Sequence, residues 1–307
     1  MSDIKDKNYI SFSEYSLYRS CLYKWYVSYV LRESSQENEF LVFGKALHAT
    51  LETIVKKSPN RMLYTRIFED KLKENSNGIL LNSYFGKGMT RDATELISKL
   101  NYFDRFADWR PLVDKDNNVV SLEEELFEPV TEVNGTKLYF KGLVDYSAKH
   151  LKEDKYIVLD WKTGLKPWDL NKKLGHLKFE DYSHKLDSGY SLLSLEELED
   201  LQTKIFFGQT VLYKHFYSLK HNIDIDKIKI RYCVLTRQPV EVVEYEVEIQ
   251  DSFTQFILED FKRALEEIYK LKQMKPEEVL EYIKKNKVIH KKSIDMVCKY
   301  CDLKKRC

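Results

Sequence analysis

The sequence predicts an α/β protein with a mixed central β-sheet flanked by helices. Three observations predict it. The near-continuous apolar run KYIVLD (155–160) reads as a strand buried on both faces. Segments 227–235 and 240–249 alternate with period two, with Ile228, Ile230, Tyr232 and Val234 set against Lys229, Arg231, Cys233 and Leu235 in the first. Around them lie stretches of helical period, the clearest being 251–272 with Phe253, Phe256, Ile257, Phe261, Leu265 and Ile268 on one stripe.

Taken in order, Ser11-Phe12-Ser13-Glu14 reads as a capping box that opens a helix to about Val30, with Tyr15, Tyr18, Leu22, Trp25 and Tyr29 at helical spacing. A second helix begins near Phe43, with Leu47, Leu51 and Ile54 as its core stripe and His48 at the stripe's edge. Residues 56–112 read as helical, chiefly Met62–Glu74 and Arg91–Trp109, broken at SNG (76–78) and GKG (86–88). The dipeptide Asn134-Gly135 between Val133 and Thr136 predicts a two-residue type I′ hairpin. In that register Glu124 falls opposite Asp145, and a bulge would bring Glu123 or Glu125 inward instead. Segment 163–189 is long and turn-rich. Ser194-Leu195-Glu196-Glu197 opens a helix to about Leu219, in which Gly208 implies a close approach by another backbone. Pro276 starts a short final helix.

With 307 residues the chain can bury a sizeable core, read as a single domain over 1–307 with a helical insert at 50–112. Fifty Lys and Arg against 49 Asp and Glu give a net charge of +1, so a charged partner must be drawn by local patches. There is no 18-residue apolar run, and the first residues lack the apolar stretch of a signal peptide, which predicts a soluble, cytoplasmic protein without a membrane partner.

Chemistry concentrates in residues 139–162. Two adjacent strands that fold back near residue 152 put Asp145 and Asp160 almost opposite each other, able to share one cation. Lys162, two residues past Asp160, lies on the same face. Two carboxylates and an ammonium at the end of a buried strand are costly unless a metal and a substrate use them. Five cysteines are present, three of them (Cys298, Cys301 and Cys307) within the last ten residues. An odd number disfavours a disulfide framework and favours a metal or cluster site. Residues 284–307 are basic, which offsets thiolate charge, and Cys21 is the natural fourth ligand. Zinc and an iron–sulfur cluster both accept such a set.

Asp145 followed by Asp160-Trp161-Lys162-Thr163-Gly164 resembles the PD-(D/E)XK nuclease superfamily, in its RecB-like branch. Gly44-Lys45-Ala46-Leu47-His48-Ala49-Thr50-Leu51-Glu52 resembles that branch's G-x-x-x-H-x-x-L-E motif, and Gln209 with Tyr213 resembles its Q-x-x-x-Y motif. Cys298, Cys301 and Cys307 with Cys21 resemble the iron–sulfur staple of AddB-type recombination nucleases and CRISPR-associated spacer-processing nucleases. The resemblance implies a restriction-endonuclease-like core closed by a [4Fe–4S] cluster, with structural Zn²⁺ as the rival. It also implies Mg²⁺ or Mn²⁺ on His48, Asp145, Asp160 and the Trp161 carbonyl, with Glu124 through water. Lys162 would position the attacking water, and Gln209 and Tyr213 would contact DNA. The expected activity is hydrolysis of single-stranded DNA, as an exonuclease, alongside a helicase or other recombination proteins. The alternative is a non-catalytic nucleic-acid-binding or scaffold subunit that keeps the fold.

Overall fold

The computed structural model describes residues 8–33, 39–76, 83–113, 119–167, 195–248 and 251–285, with backbone alone at 83–87 and 195–204. A seven-stranded mixed sheet forms its centre. The strands are β1 (Tyr9–Ser11), β2 (Trp109–Pro111), β3 (Leu122–Val133), β4 (Thr136–His150), β5 (Tyr156–Gly164), β6 (Ile228–Arg237) and β7 (Val240–Val247). The main path runs β1-β4-β5-β6-β7, with β2 and β3 also paired to β4. β1 is parallel to β4 and β5 is parallel to β6, while the other neighbours are antiparallel. The helices are α1 (Phe12–Ser20), α2 (Leu22–Trp25), α3 (Glu39–Lys57), α4 (Tyr64–Asn75), α5 (Ser83–Leu100), α6 (Tyr102–Arg105), α7 (Leu195–His221), α8 (Asp251–Lys272) and α9 (Pro276–Lys285). Among the described residues no helix is long and apolar enough to cross a membrane.

Two apolar layers sandwich the sheet. One joins α1, α2, α7, α8 and α9 to the sheet face carrying Phe140, Val144, Val158 and Tyr232. The other joins α3 to α6 to the face carrying Tyr146, Leu159, Trp161 and Cys233. Alternation along β5 sends Leu159 and Trp161 into the second layer, so Asp160 and Lys162 face the first.

Several sequence expectations change in detail. The N-terminal helix is not continuous. Cys21 (φ −159°, ψ 100°) ends α1 and caps α2, and a π-turn follows over Tyr26–Val30. Ser11 caps α1 as expected, accepting the Glu14 N–H at 3.2 Å. Glu14 does not reach back to complete the box. It is buried, 2.6 Å from Lys272 Nζ, and accepts the Trp25 indole N–H at 3.2 Å. The GKG glycines lie inside α5, which ends at Leu100, before Asn101 at φ +43°. Trp109 therefore belongs to β2, opposite His150, and not to a helix. Gly208 does meet a close neighbour, but it is a side chain: a Cβ there would lie 3.1 Å from Ile257 Cδ1 on α8.

The Asn-Gly hairpin forms as read, with Val133 opposite Thr136, Asn134 at φ +51° and Gly135 at φ +79°. Four residues earlier the pairing shifts by one between Pro129 and Thr131. Proline donates no ladder hydrogen bond and is confined to edges and bulges, so Pro129 marks the place. The shift decides whether Glu124 meets Asp145.

Candidate active site

β4 and β5 form a regular ladder only from Lys149↔Tyr156 to Tyr146↔Leu159. One step beyond, at Asp145 and Asp160, the ladder stops. The Asp145 carboxylate replaces the missing strand partner and accepts the Trp161 N–H at 2.8 Å. Alternation along β4 breaks at the same point, since Val144 packs in one apolar layer and Tyr146 in the other. Asp145 is thereby held in the seam between the two faces.

On the α7 side, Lys162 Nζ lies 2.7 Å from Asp160 Oδ2 and donates to Gln209 Oε1 at 2.9 Å. The same ammonium sits 5.9 Å from the centre of the Tyr232 ring. Asp160 Oδ2 is buried and has no aligned hydrogen bond, so its contact with Lys162 is close but electrostatic. Tyr213, one turn from Gln209, packs edge-on to Phe140 and over Gly142, where a Cβ would meet its ring at 3.1 Å. Burial, then the charge of Asp160, raises the Tyr213 hydroxyl pKa, so it remains a neutral donor.

On the α3 side, His48 Nδ1 lies 3.6 Å from Asp145 Oδ2. Burial lowers the His48 pKa, against the pull of Asp160, so the ring is neutral at neutral pH and keeps a lone pair. Burial and the neighbouring Asp160 charge raise the Asp145 pKa well above the carboxylate range. An open cavity of about 480 Å³ adjoins this side, lined by Phe40, Gly44, His48, Glu52, Glu123 and Thr163.

α3 can deliver His48 because Gly44 sits against the end of β5. A Cβ there would stand 2.9 Å from Thr163 Oγ1. Gly44→Ala is expected to push α3 off β5 and lower the activity of this site by up to about 100-fold, since misplacement on the order of 1 Å costs that much. Unchanged turnover beside an unchanged melting temperature would refute this account of Gly44.

The expected place of Glu124 needs correction. Val144, not Asp145, stands opposite it, because the Pro129–Thr131 shift moves the register by one. Glu124 faces α7, within 2.7 Å of His221 Nε2 and 2.6 Å of Lys220 Nζ, with Ser147 Oγ donating at 3.4 Å. Glu123, at φ +51°, lies between the pairs Leu122↔Tyr146 and Glu124↔Val144 and lines the cavity. Burial and nearby Glu52 raise its pKa. Burial also pushes the Glu124 carboxyl upward, but the hydrogen bonds from His221 and Lys220 outweigh it and leave the pKa below its ordinary 4.5. A carboxylate with a depressed folded-state pKa stabilises the fold above the unfolded value, and this stabilisation is lost as pH falls through the folded one. Glu124→Gln is therefore expected to cost about 1–3 kcal/mol at neutral pH. In urea titrations at a series of pH values, the gap to wild type should close in acid.

The donor chemistry fits a divalent cation. Two adjacent carboxylates, Asp160 buried with an oxygen lacking a hydrogen bond and Asp145 half-buried, stand beside a neutral imidazole. Among the described residues, however, no three His, Cys, Asp or Glu side chains already form a ligand cage. Asp160 is turned to Lys162 and Asp145 to the Trp161 N–H, so holding a cation requires Asp160 to exchange its ammonium partner. Of the cysteine set, Cys21 is buried and its Sγ accepts the Lys24 N–H at 3.4 Å. Cys298, Cys301 and Cys307 lie outside the described residues.

A family model of the PD-(D/E)XK nuclease superfamily matches residues 9–307, and the chain belongs to that superfamily. Its members are hydrolytic nucleases that typically use divalent metals such as Mg²⁺. No curated protein matches the chain. Among solved structures, one from Eubacterium rectale described as a "Putative exonuclease" is 13% identical, with a TM-score of 0.47, over 98% of this chain and 88% of that one. The protein SSO0001 is 14% identical, with a TM-score of 0.30, over 80% and 83%.

Proposed function

We propose that this nuclease hydrolyses phosphodiester bonds of single-stranded DNA, working as an exonuclease within a recombination or repair process. One observation carries the reading: two neighbouring acids, half-buried Asp145 and buried Asp160, with the Lys162 ammonium poised between Asp160 and Gln209. His48, Asp145, Asp160 and the Trp161 carbonyl would hold Mg²⁺ or Mn²⁺, whose contribution when bound is to polarise the phosphate and acidify water. The chain's own groups do the rest. Gln209 fixes the Lys162 ammonium, which orients the attacking water and offsets negative charge developing on the phosphate. Neutral His48 and buried Tyr213 supply a lone pair and a hydroxyl donor without adding charge. Glu123 takes the peripheral acid role that the unshifted register assigns to Glu124.

The reading extends to Cys21, Cys298, Cys301 and Cys307 as ligands of a [4Fe–4S] cluster, with Zn²⁺ as the rival. Metal analysis of protein purified without oxygen separates them. End-labelled single strands should be cut with Mg²⁺ or Mn²⁺, and chelation should stop the reaction. Mononucleotide release from one end marks an exonuclease. Binding of strands without cleavage under any divalent cation would instead support a scaffold subunit and overturn the proposal.

A further inference from the structure

β4 has two unlike faces before it reaches Asp145. Leu138, Phe140, Gly142 and Val144 are buried against α7 and α8. The alternate residues Tyr139, Lys141 and Leu143 lie on the opposite face, with Leu143 42% exposed. Neighbouring strands widen this face. Tyr9 pairs with Tyr139 on one side, and Phe127 pairs with Lys141 on the other. Phe127, 41% exposed, stacks on Tyr139 at 4.7 Å with their planes 13° apart, and Tyr9 meets Phe127 edge-on at 5.8 Å. The Lys141 ammonium lies 5.4 Å from the Tyr9 ring centre and 2.6 Å from Glu125, whose charge it offsets.

We propose that this face, built on Tyr9, Phe127, Tyr139, Lys141 and Leu143, is a stacking track that carries single-stranded nucleic acid to Asp145. The inference rests on the strand-cleaving reading above and deepens it. Continuity with the site favours this occupant over a protein. The next residue after Leu143 on the alternating series is Asp145, and Glu123, in the next row across, lines the cavity beside His48. Phe127 is exposed and Tyr9 and Tyr139 are half-buried, and accessible aromatic rings with a nearby cation are what unpaired bases and their phosphates bind, without sequence preference. Tyr139 lies six residues from Asp145, about 20 Å at the rise of a strand. At about 3.4 Å per stacked nucleotide the track takes about six.

The test uses the full chain and fluorescein-labelled oligo(dT) and oligo(rU) of four to twelve nucleotides. Binding is read in Ca²⁺ and cleavage in Mn²⁺. The double variant Phe127→Ala/Tyr139→Ala should lose at least about tenfold in affinity for the longer strands, little for the shortest, and keep its melting temperature. Phe127→Trp/Tyr139→Trp should retain affinity, while Phe127→Leu/Tyr139→Leu should not, because stacking needs a ring. Wild type that cleaves single strands, beside alanine and leucine variants within twofold of its affinity, would overturn the track alone. Wild type that neither binds nor cleaves them would overturn the underlying reading with it. Loss of self-association in the alanine variant, with strand affinity unchanged, would reassign the face to a protein contact and also refute the track.

Discussion

Lys162→Ala is expected to reduce cleavage of single strands by at least about 100- to 1,000-fold while leaving the fold intact, the scale of removing one preorganised donor from a transition state. The ammonium is 2.7 Å from Asp160 and 2.9 Å from Gln209, and its side chain is about a quarter exposed. Its loss therefore opens no cavity in either apolar layer. A second consequence follows from charge. Burial and Asp160 raise the Asp145 pKa, and the Lys162 charge, with the Trp161 N–H, opposes that rise. Without that charge, the acid limb of residual activity should move to higher pH, because the ligand role proposed for Asp145 needs its ionised form. Gel assays of end-labelled strands at several pH values, with circular dichroism on the same preparations, check both statements. Wild-type rates in the variant would remove Lys162 from the mechanism.

Lys272→Ala is expected to be the most damaging substitution for stability, costing about 3–5 kcal/mol. Lys272 lies in the last turn of α8 and meets Glu14 of α1 at 2.6 Å, with both side chains almost fully buried. Removing the cation strands a buried carboxylate that keeps the Trp25 indole N–H, at 3.2 Å, as a donor. A neighbouring network, Arg19 and Tyr15 on Asp260 at 2.7 Å each, ties the same two helices and should survive the change. Urea unfolding should thus show a large fall in midpoint, and Glu14→Gln combined with Lys272→Met should recover part of it by removing both charges. A midpoint within experimental error of wild type would show that the pair is not what holds α1 to α8.

The Lys272 pair also shows where reading the sequence stops. Ser11 and Glu14 have the spacing of a capping box, and Ser11 caps α1, but Glu14 is drawn inward by a lysine 258 residues away. A local pattern offers the glutamate one partner, and packing supplies a stronger one. Cys21 is similar: helical period runs through it, yet the backbone turns extended there. Glu124 differs from both, because Pro129 is a visible signal for the register shift that sends it to His221.

What the sequence determined by itself is whatever depends on spacing along one element. That covers the mixed sheet with helices on both faces, the Asn134-Gly135 turn, and Lys162 on the same face as Asp160, since alternation along a strand is a local rule. Only the tertiary structure decided what depends on the meeting of distant elements. It placed His48 of α3 beside Asp145, clamped Lys162 with Gln209 of α7, and turned Glu124 toward His221 instead of Asp145. The physical reason is that one extra residue in a ladder, or one glycine allowing a close approach, moves a side chain by ångströms without altering any local pattern.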